Sequence, residues 1–137
     1  MIDIENDVYD YVAKAIRAAH RGVDVSGEYV ETPARFPHVS IVQADNRIVP
    51  RWRTTVPENA VTVMFELNVY SNKASGKKSE AKAIAATADD TFASLGFARD
   101  FMQQVPNLKD ATIYRIVCRY SGMVIPNDDG RFYIYAT

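Results

Sequence analysis

The 137-residue chain has little of what several large classes of protein depend on. It holds one cysteine, Cys118, so no disulfide forms within a molecule, and a lone thiol indicates a reducing compartment. No run approaches about 18 apolar residues, and the first residues lack the basic start and apolar core of a signal peptide. The sequence therefore predicts a soluble protein that is made inside a cell and contacts no membrane.

The chain also lacks an excess of charge of one sign, because it has 16 basic and 17 acidic residues and a formal net charge of -1. No overall positive field would draw the molecule to nucleic acid or to an anionic surface, so any charged contact must be local. Hydrophobic residues make up 47% of the chain and charged residues 24%, as in ordinary globular proteins. With no repeat and no linker, we predict a single domain over residues 1–137.

Two segments have the period of a helix with one buried face. Between Asp3 and His20 the apolar residues recur at spacings of three and four, and Asp3 is placed to cap the start. A second such stripe runs from about Ser75 to Leu95. It stops at Gly96, which suits the left-handed position that often ends a helix.

The remaining segments alternate or are rich in β-branched residues, as strands are. Asp45 and Asn46 are turn formers, so we predict a hairpin turn there that leads to Ile48–Val49. The Asp128–Gly130 turn should fold a short aromatic strand back on the strand before it. The predicted strands cover residues 22–29, 39–43, 60–71, 97–105, 111–124 and 131–135.

These elements predict an α+β fold in the order α-β-β-β-α-β-β, to which the short strand at 131–135 adds a final return strand. Most of the strands are joined by short connections, which favours two layers: an antiparallel or mixed sheet with both helices on one face. The second face of the sheet is then solvated or covered by another chain. Its apolar and aromatic residues make another chain plausible.

One segment resembles a phosphate-binding loop. Residues 71–78 join a strand to a helix and contain Gly76–Lys77, but Ser71 stands where the loop needs its first glycine and Lys78 where it needs Ser or Thr. An alternative function, a small phosphate- or nucleotide-binding enzyme using the Ser75–Lys78 loop, depends on this segment. Otherwise Lys73, Lys77 and Lys78 either dock on an acidic partner or form a solvated loop.

Other catalytic groupings are weak. His20 and His38 have no partner at metal-ligand spacing, and Cys118 lies in an alternating strand, as a small core residue would. Adjacent acids such as Asp89 and Asp90 point in different directions on a helix. We therefore expect no enzyme activity, no cofactor and no metal.

Surface residues instead suggest contact between proteins. Arg47, Arg51, Trp52 and Arg53 form a basic, aromatic arm, and Trp and Arg are enriched where interfaces gain most of their energy. Binding of single-stranded nucleic acid by the same arm is the alternative. A second candidate contact is the C-terminal strand with Arg131, Phe132, Tyr133 and Tyr135.

Three stretches resemble one family, the small tail terminator or tail completion proteins of long-tailed bacteriophages. They are Phe36–Ile41 through Asp45–Asn46, Asn68–Lys73 through Ser75–Lys78 and Glu80–Lys82, and Pro106–Leu108 through Ala111–Arg115. The resemblance implies a sheet flanked by two helices. It also implies a ring, expected to be a hexamer, at the head-proximal end of the tail tube in the virion.

Such a ring would end tube growth and offer the docking surface for the head-tail connector, or stopper, protein. Its partners would be its own copies, the tail tube protein and that connector, with genomic DNA passing through the channel without sequence-specific binding. Another neck or tube component of the same particle is the remaining alternative. The arm, the lysine loop and the C-terminal strand are the candidate contacts, although the resemblance assigns a role to none of their residues.

Overall fold

The computed structural model of the chain describes residues 1–49, 60–107, 109–126 and 131–135. Its elements follow in the order α1 (Glu5–Ala19), β1 (Asp24–Ser26), β2 (His38–Ile48), β3 (Val61–Ser71), α2 (Lys77–Leu95), β4 (Ala98–Gln104), β5 (Tyr114–Pro126) and β6 (Phe132–Tyr135). This confirms the predicted α+β class, and the predicted order matches the elements from α1 to β5. The short strand β6 folds back on β5, as expected.

Both helices begin and end close to the predicted residues. The side chain of Asp3 accepts a hydrogen bond from the backbone N–H of Glu5 at 3.1 Å. Acidic residues in the first turn of α1 interact favourably with the positive end of the helix dipole. Helix α2 ends at Gly96, whose φ of 106° is the left-handed conformation that the sequence predicted there. Neither of the two helices in the described ranges is long and apolar enough to cross a membrane.

The strands form one sheet in the order β1-β2-β3-β5-β4. All pairings are antiparallel except that of β1 with β2. β4 pairs with residues 116–121 of β5 and β6 pairs with residues 123–126, while β3 takes the other side of β5. β4 and β6 therefore lie one after the other along the same side of β5.

The predicted turn at Asp45–Asn46 is wrong. β2 continues through these residues to Ile48 and absorbs the irregularity as a bulge between Gln43 and Asp45. Asn46 donates from its side chain to the backbone oxygen of Ile2 at 2.9 Å, so a contact with the N-terminal segment outweighs the local turn preference. The true connection from β2 to β3 is the stretch that follows Val49.

Both helices pack on one face of the sheet and enclose a single core. Phe92 of α2 stacks on Tyr120 of β5 with ring centroids 4.2 Å apart, and Phe65 and Phe97 complete the aromatic centre. Cys118 is fully buried in this core, as predicted. The side chains of β3 and β5 that alternate with these core residues form the other face of the sheet, called here the open face.

Strand β6 packs directly against two glycines. A Cβ atom at Gly96 would lie 2.2 Å from the backbone oxygen of Ile134, and one at Gly122 would lie 2.9 Å from the Ile134 side chain. Only glycine permits this approach, so α2 and β5 together hold the middle of β6. Phe132, Tyr133 and Tyr135 remain between 41% and 51% exposed around it.

Candidate interaction surface

The open face carries four polar side chains in a connected row, called here the polar ladder: Arg115, Asn68, Glu66 and Arg119. Arg115 donates to the Asn68 side-chain oxygen from Nε at 2.9 Å and from Nη2 at 2.7 Å. Arg119 donates to Glu66 from Nε and Nη2, both at 3.2 Å. The Asn68 amide donates to Glu66 at 3.4 Å and joins the two pairs.

Pairing across neighbouring strands explains the row. Glu66 lies opposite Arg119, and Asn68 lies two residues further along β3, on the same face. Asn68 is fully buried and Glu66 partly so, which strengthens these charge-assisted hydrogen bonds relative to bonds in water. The two arginines are therefore held in fixed positions on the open face.

Aromatic rings flank the polar ladder. The Arg115 guanidinium lies 5.5 Å from the ring centroids of both Tyr29 and Tyr70, and that of Arg119 lies 5.8 Å from the ring of Phe101. The Tyr70 hydroxyl donates to the Val30 oxygen at 2.7 Å, so the loop after β1 covers this part of the face. Burial raises the pKa of Tyr70 to about 12. The open face is thus mixed in character, with cations held among aromatic and apolar side chains.

The predicted contact residues lie at two opposite ends of the sheet. Arg47 is near the end of β2, and Arg131, Phe132, Tyr133 and Tyr135 lie on or beside β6, at the end where β3 begins. Lys73, Lys77 and Lys78 follow the other end of β3. Because β3 has 11 residues, the two sets are separated by roughly 33 Å along the strands.

The predicted basic arm is described only at its first member. Arg51, Trp52 and Arg53 lie outside the described residues. Arg47 bonds Asp45 at 2.6 Å with 78% of its side chain exposed, and such a surface pair contributes little to stability. The backbone N–H of Val49 donates to Ala60 at 3.1 Å, so the two ends of the connection that contains the arm meet at one point.

The lysine loop is tied to the protein's own groups. Lys77 donates to the backbone oxygen of Thr112 at 3.2 Å, and Gly76 before it has a φ of 90°. Ser71 is buried and donates to Glu80, in the first turn of α2, at 2.7 Å. A carboxylate already stands near the helix start where a phosphate would bind, so this geometry gives no support to the nucleotide-binding alternative.

A groove opens beside β6, between α1 and the end of α2. Val8, Tyr11, Leu95, Phe132 and Ile134 supply its apolar walls, while Asp7 and Arg131 supply charge. The volume of this cavity is about 410 Å³. Tyr11, which is 52% exposed, lines the side of this groove.

The two edges of the sheet differ. The edge at β2 is covered by β1 at residues 38–40, and beyond it the backbone N–H of Gln43 donates to the Glu5 carboxylate at 3.0 Å. At the opposite edge, no strand within the described ranges pairs with the outer side of β4. Unpaired backbone groups on an edge strand can accept a strand from another chain. β4, with seven residues, is therefore a longer available edge than the three-residue strand β1, whose outer side has no partner strand in the described ranges either.

The strongest catalytic grouping in the described residues is Asp89, Tyr120 and Cys118. Asp89 accepts from the Tyr120 hydroxyl at 3.1 Å and from Arg99 at 3.4 Å. Burial raises the pKa of the Cys118 thiol to about 11 and raises the pKa of Tyr120. At neutral pH both groups carry their protons, so this grouping joins α2 to β5 and β4 and supplies no nucleophile.

The two histidines also have local partners. His20 contacts the Thr87 hydroxyl at 2.8 Å and joins α1 to α2, and His38 lies 2.9 Å from the Asp24 carboxylate. Among the residues with described positions, no group of three or more His, Cys, Asp or Glu side chains is arranged to hold a metal ion.

Comparison with protein-family models gives no match. A search of curated proteins also gives no match.

The polar ladder and the groove are the features that sequence reasoning did not assign. The alternation of β5 indicates that Arg115 and Arg119 point away from the core, but Asn68 and Glu66 lie 47 and 53 residues from them in the chain. The groove gave no such signal, because Tyr11 follows Val8 by three residues, as a core-facing residue of α1 would.

Proposed function

We propose that the chain is a structural subunit of a bacteriophage tail. Its copies form a ring of six at the head-proximal end of the tail tube, where the ring ends tube growth and receives the head-tail connector. The resemblance of the three sequence stretches to tail terminator proteins supports this role. The fold, one sheet with two helices on one face, agrees with what that resemblance implies.

The unequal pair of sheet edges is the observation that carries the proposal. A subunit whose sheet ends in the seven-residue strand β4 on one side and in the three-residue strand β1 on the other offers its neighbours two different surfaces. Such a heterologous contact repeats from copy to copy and closes into a ring when the rotation permits. Contact through one self-complementary surface would give a pair of copies instead.

The chemistry of the open face also supports assembly rather than catalysis. Its arginines are held by Asn68 and Glu66, and aromatic rings flank them. Arginine and tyrosine on a rigid surface are well suited to protein contact, because little conformational freedom is lost on binding. The lysine end and the β6 end then offer different surfaces to the connector and the tube.

Electron microscopy tests the proposal directly. Purified protein at high concentration is expected to give six-fold rings with a central hole, and addition to polymerising tail tube subunits is expected to give shorter tubes. The matched variants are Met102→Lys on the available edge and Ala18→Lys on an exposed site of α1. The first should abolish rings in a folded protein, and the second should not.

Two results together would contradict the proposal. These are a monomer at the highest attainable concentration and tube lengths that do not change when the protein is added. Rings that persist in the Met102→Lys variant would remove β4 from the contact.

A further inference from the structure

The side of helix α2 that faces β4 carries three exposed residues called here the charged row: Lys82, Ala86 and Asp90. They follow one another at intervals of four residues, so they lie on one side of the helix. Together with Met102 of β4, which is 43% exposed, they line a cavity of about 200 Å³. The row is therefore basic at one end, acidic at the other and small in the middle.

The charged row and β4 have a common midpoint. Arg99, near the start of β4, donates to Asp89, which is next to the acidic end of the row, at 3.4 Å. Met102 lies three residues further along β4 and lines the same cavity as Ala86, the middle of the row. No strand in the described ranges covers the outer side of β4. One surface thus combines a free strand edge with charges that balance about its centre.

We propose that two copies of the chain pair through this surface about a two-fold axis that passes beside Met102. The two β4 strands then pair in antiparallel fashion and join the two sheets into one. The same axis reverses the charged row, so Lys82 of each copy faces Asp90 of the other. The small Ala86 side chains leave room between the two helices for the Met102 side chains.

The distribution of charge favours a second copy as the occupant. A two-fold axis exchanges the ends of a row, so a row with one base, one small residue and one acid is complementary to itself in this arrangement. Each end of the contact holds Asp89, Asp90 and Arg99 of one copy together with Lys82 of the other. These are two charges of each sign, so neither end carries excess charge.

The chain's own connection, residues 50–59, is too short to reach this surface. It leaves and re-enters the sheet beside Ala60. Met102 lies opposite Cys118, which lies opposite Leu67, seven residues or roughly 23 Å from Ala60 along the strands. Ten residues that return to their starting point extend about 17 Å from it.

Strand β1 of another copy is a poorer match for the edge of β4. The backbone N–H of Asp24 donates to Pro37, beside β2, so the backbone groups of the next residue, Val25, point outward. The Val25 oxygen already accepts a hydrogen bond from the Tyr9 hydroxyl at 3.3 Å. A three-residue strand with this oxygen occupied offers less pairing than the seven residues of β4 offer to one another.

The pair bears on the proposed ring, because both use the edge at β4. A copy held in the pair cannot offer that edge to a ring. The pair is therefore the form in which free copies wait before they reach the tail tube. This consequence rests on the proposed function, whereas the pair itself does not.

A cysteine placed on the axis tests the geometry. Met102→Cys is oxidised at about 0.1 mM protein, and we expect a covalent dimer on a non-reducing denaturing gel, because the axis brings position 102 against itself. Gln104→Cys, also exposed on β4, is the matched control, since it faces position 100 of the other copy. It should crosslink about tenfold more slowly or less, and the buried Cys118 should not react.

Charge exchange provides the second measurement. Lys82→Asp and Asp90→Lys should each weaken the pair about tenfold or more, measured by sedimentation as the fraction with the mass of two 15.4 kDa chains. An equal mixture of the two variants should pair again, because each position then faces the opposite charge across the axis. Lys14→Asp and Asp10→Lys, at exposed sites of α1, are the controls and should leave the pair unchanged.

The outcomes separate the pair from the ring. No covalent dimer of Met102→Cys, equal crosslinking at positions 102 and 104, or charge variants that fail to pair when mixed would overturn the contact. Oxidised Met102→Cys should give no six-fold rings, and reduction should restore them. Rings from the oxidised protein would contradict the shared use of β4. Pairs without rings, even after reduction, would contradict the proposed function and leave the contact standing.

Discussion

Burial of a single thiol makes the free energy of unfolding depend on pH. Burial raises the pKa of Cys118 from 9.0 to about 11, so between these values the unfolded chain loses a proton that the folded chain keeps. The unfolded state then binds fewer protons, and stability falls as pH rises. Below pH 9 the contribution is complete, and above pH 10 the buried phenols of Tyr70 and Tyr120 act with the same sign.

Urea unfolding at pH 8, 9 and 10 measures this effect. The wild-type protein should lose stability between pH 9 and 10, and Cys118→Ala should lose less over that interval, although it starts from a lower value because of the cavity it creates. Parallel curves for the two proteins would show that the thiol does not titrate in this way.

The bond between Asn68 and Arg115 should be the costliest to break in the polar ladder. Asn68→Leu leaves the half-buried guanidinium without its two hydrogen bonds, and we expect a loss of about 2–3 kcal/mol in the free energy of unfolding. Arg115→Met in the same chain removes the unpaired charge and should recover part of that loss. A double-mutant cycle by chemical denaturation measures the coupling, and a coupling near zero would contradict the assignment.

For single residues, the contacts that could not be predicted are those between residues far apart in sequence. The pattern of β5 sufficed to place Cys118 in the core and Arg115 and Arg119 on the other face. Their partners could not be assigned, because pairing depends on the register between β3 and β5, and a shift of one residue would exchange the faces.

Among the elements, β6 depends most on close packing against glycine, at Gly96 and Gly122. Gly96→Ala places a Cβ atom against the backbone of Ile134 and imposes a left-handed conformation on alanine. Gly76→Ala, at a φ of 90° with no atom within 4 Å, imposes only the second penalty. We expect a loss of about 1 kcal/mol for Gly76→Ala and at least 2 kcal/mol more for Gly96→Ala.

Chemical denaturation of both variants gives the comparison, and tyrosine fluorescence reports whether β6 has moved. Equal losses for the two glycines would mean that β6 does not rest on Gly96.

Sequence signals from neighbouring residues predicted some element boundaries correctly and others wrongly. The boundary of α2 at Gly96 was predictable because a helix end is set by residues next to one another. The turn at Asp45–Asn46 was not, since these residues are held in β2 by a bond to Ile2, 44 residues away. The parallel pairing of β1 with β2 likewise depends on tertiary contact and leaves no mark in a three-residue strand.

The whole molecule should unfold as one cooperative unit, as the sequence predicts for one domain. The core cluster draws on both helices and on every strand except β4, so no part of the described chain has a separate core. Calorimetry should give one transition with an enthalpy of about 95 kcal/mol near 60 °C and a van't Hoff enthalpy equal to it. Two resolved transitions, or a ratio far from one, would contradict a single domain.

The opposite placement of the lysine loop and the β6 strand has a consequence for any closed assembly. Cyclic symmetry turns every copy the same way up, so in a ring whose axis runs along the strands all the lysines gather on one rim and all the aromatic strands on the other. The two rims of such an assembly therefore differ in chemistry, and the ring has a direction. A partner protein that binds one rim would have no binding surface on the other rim. An inverted ring would therefore not attach.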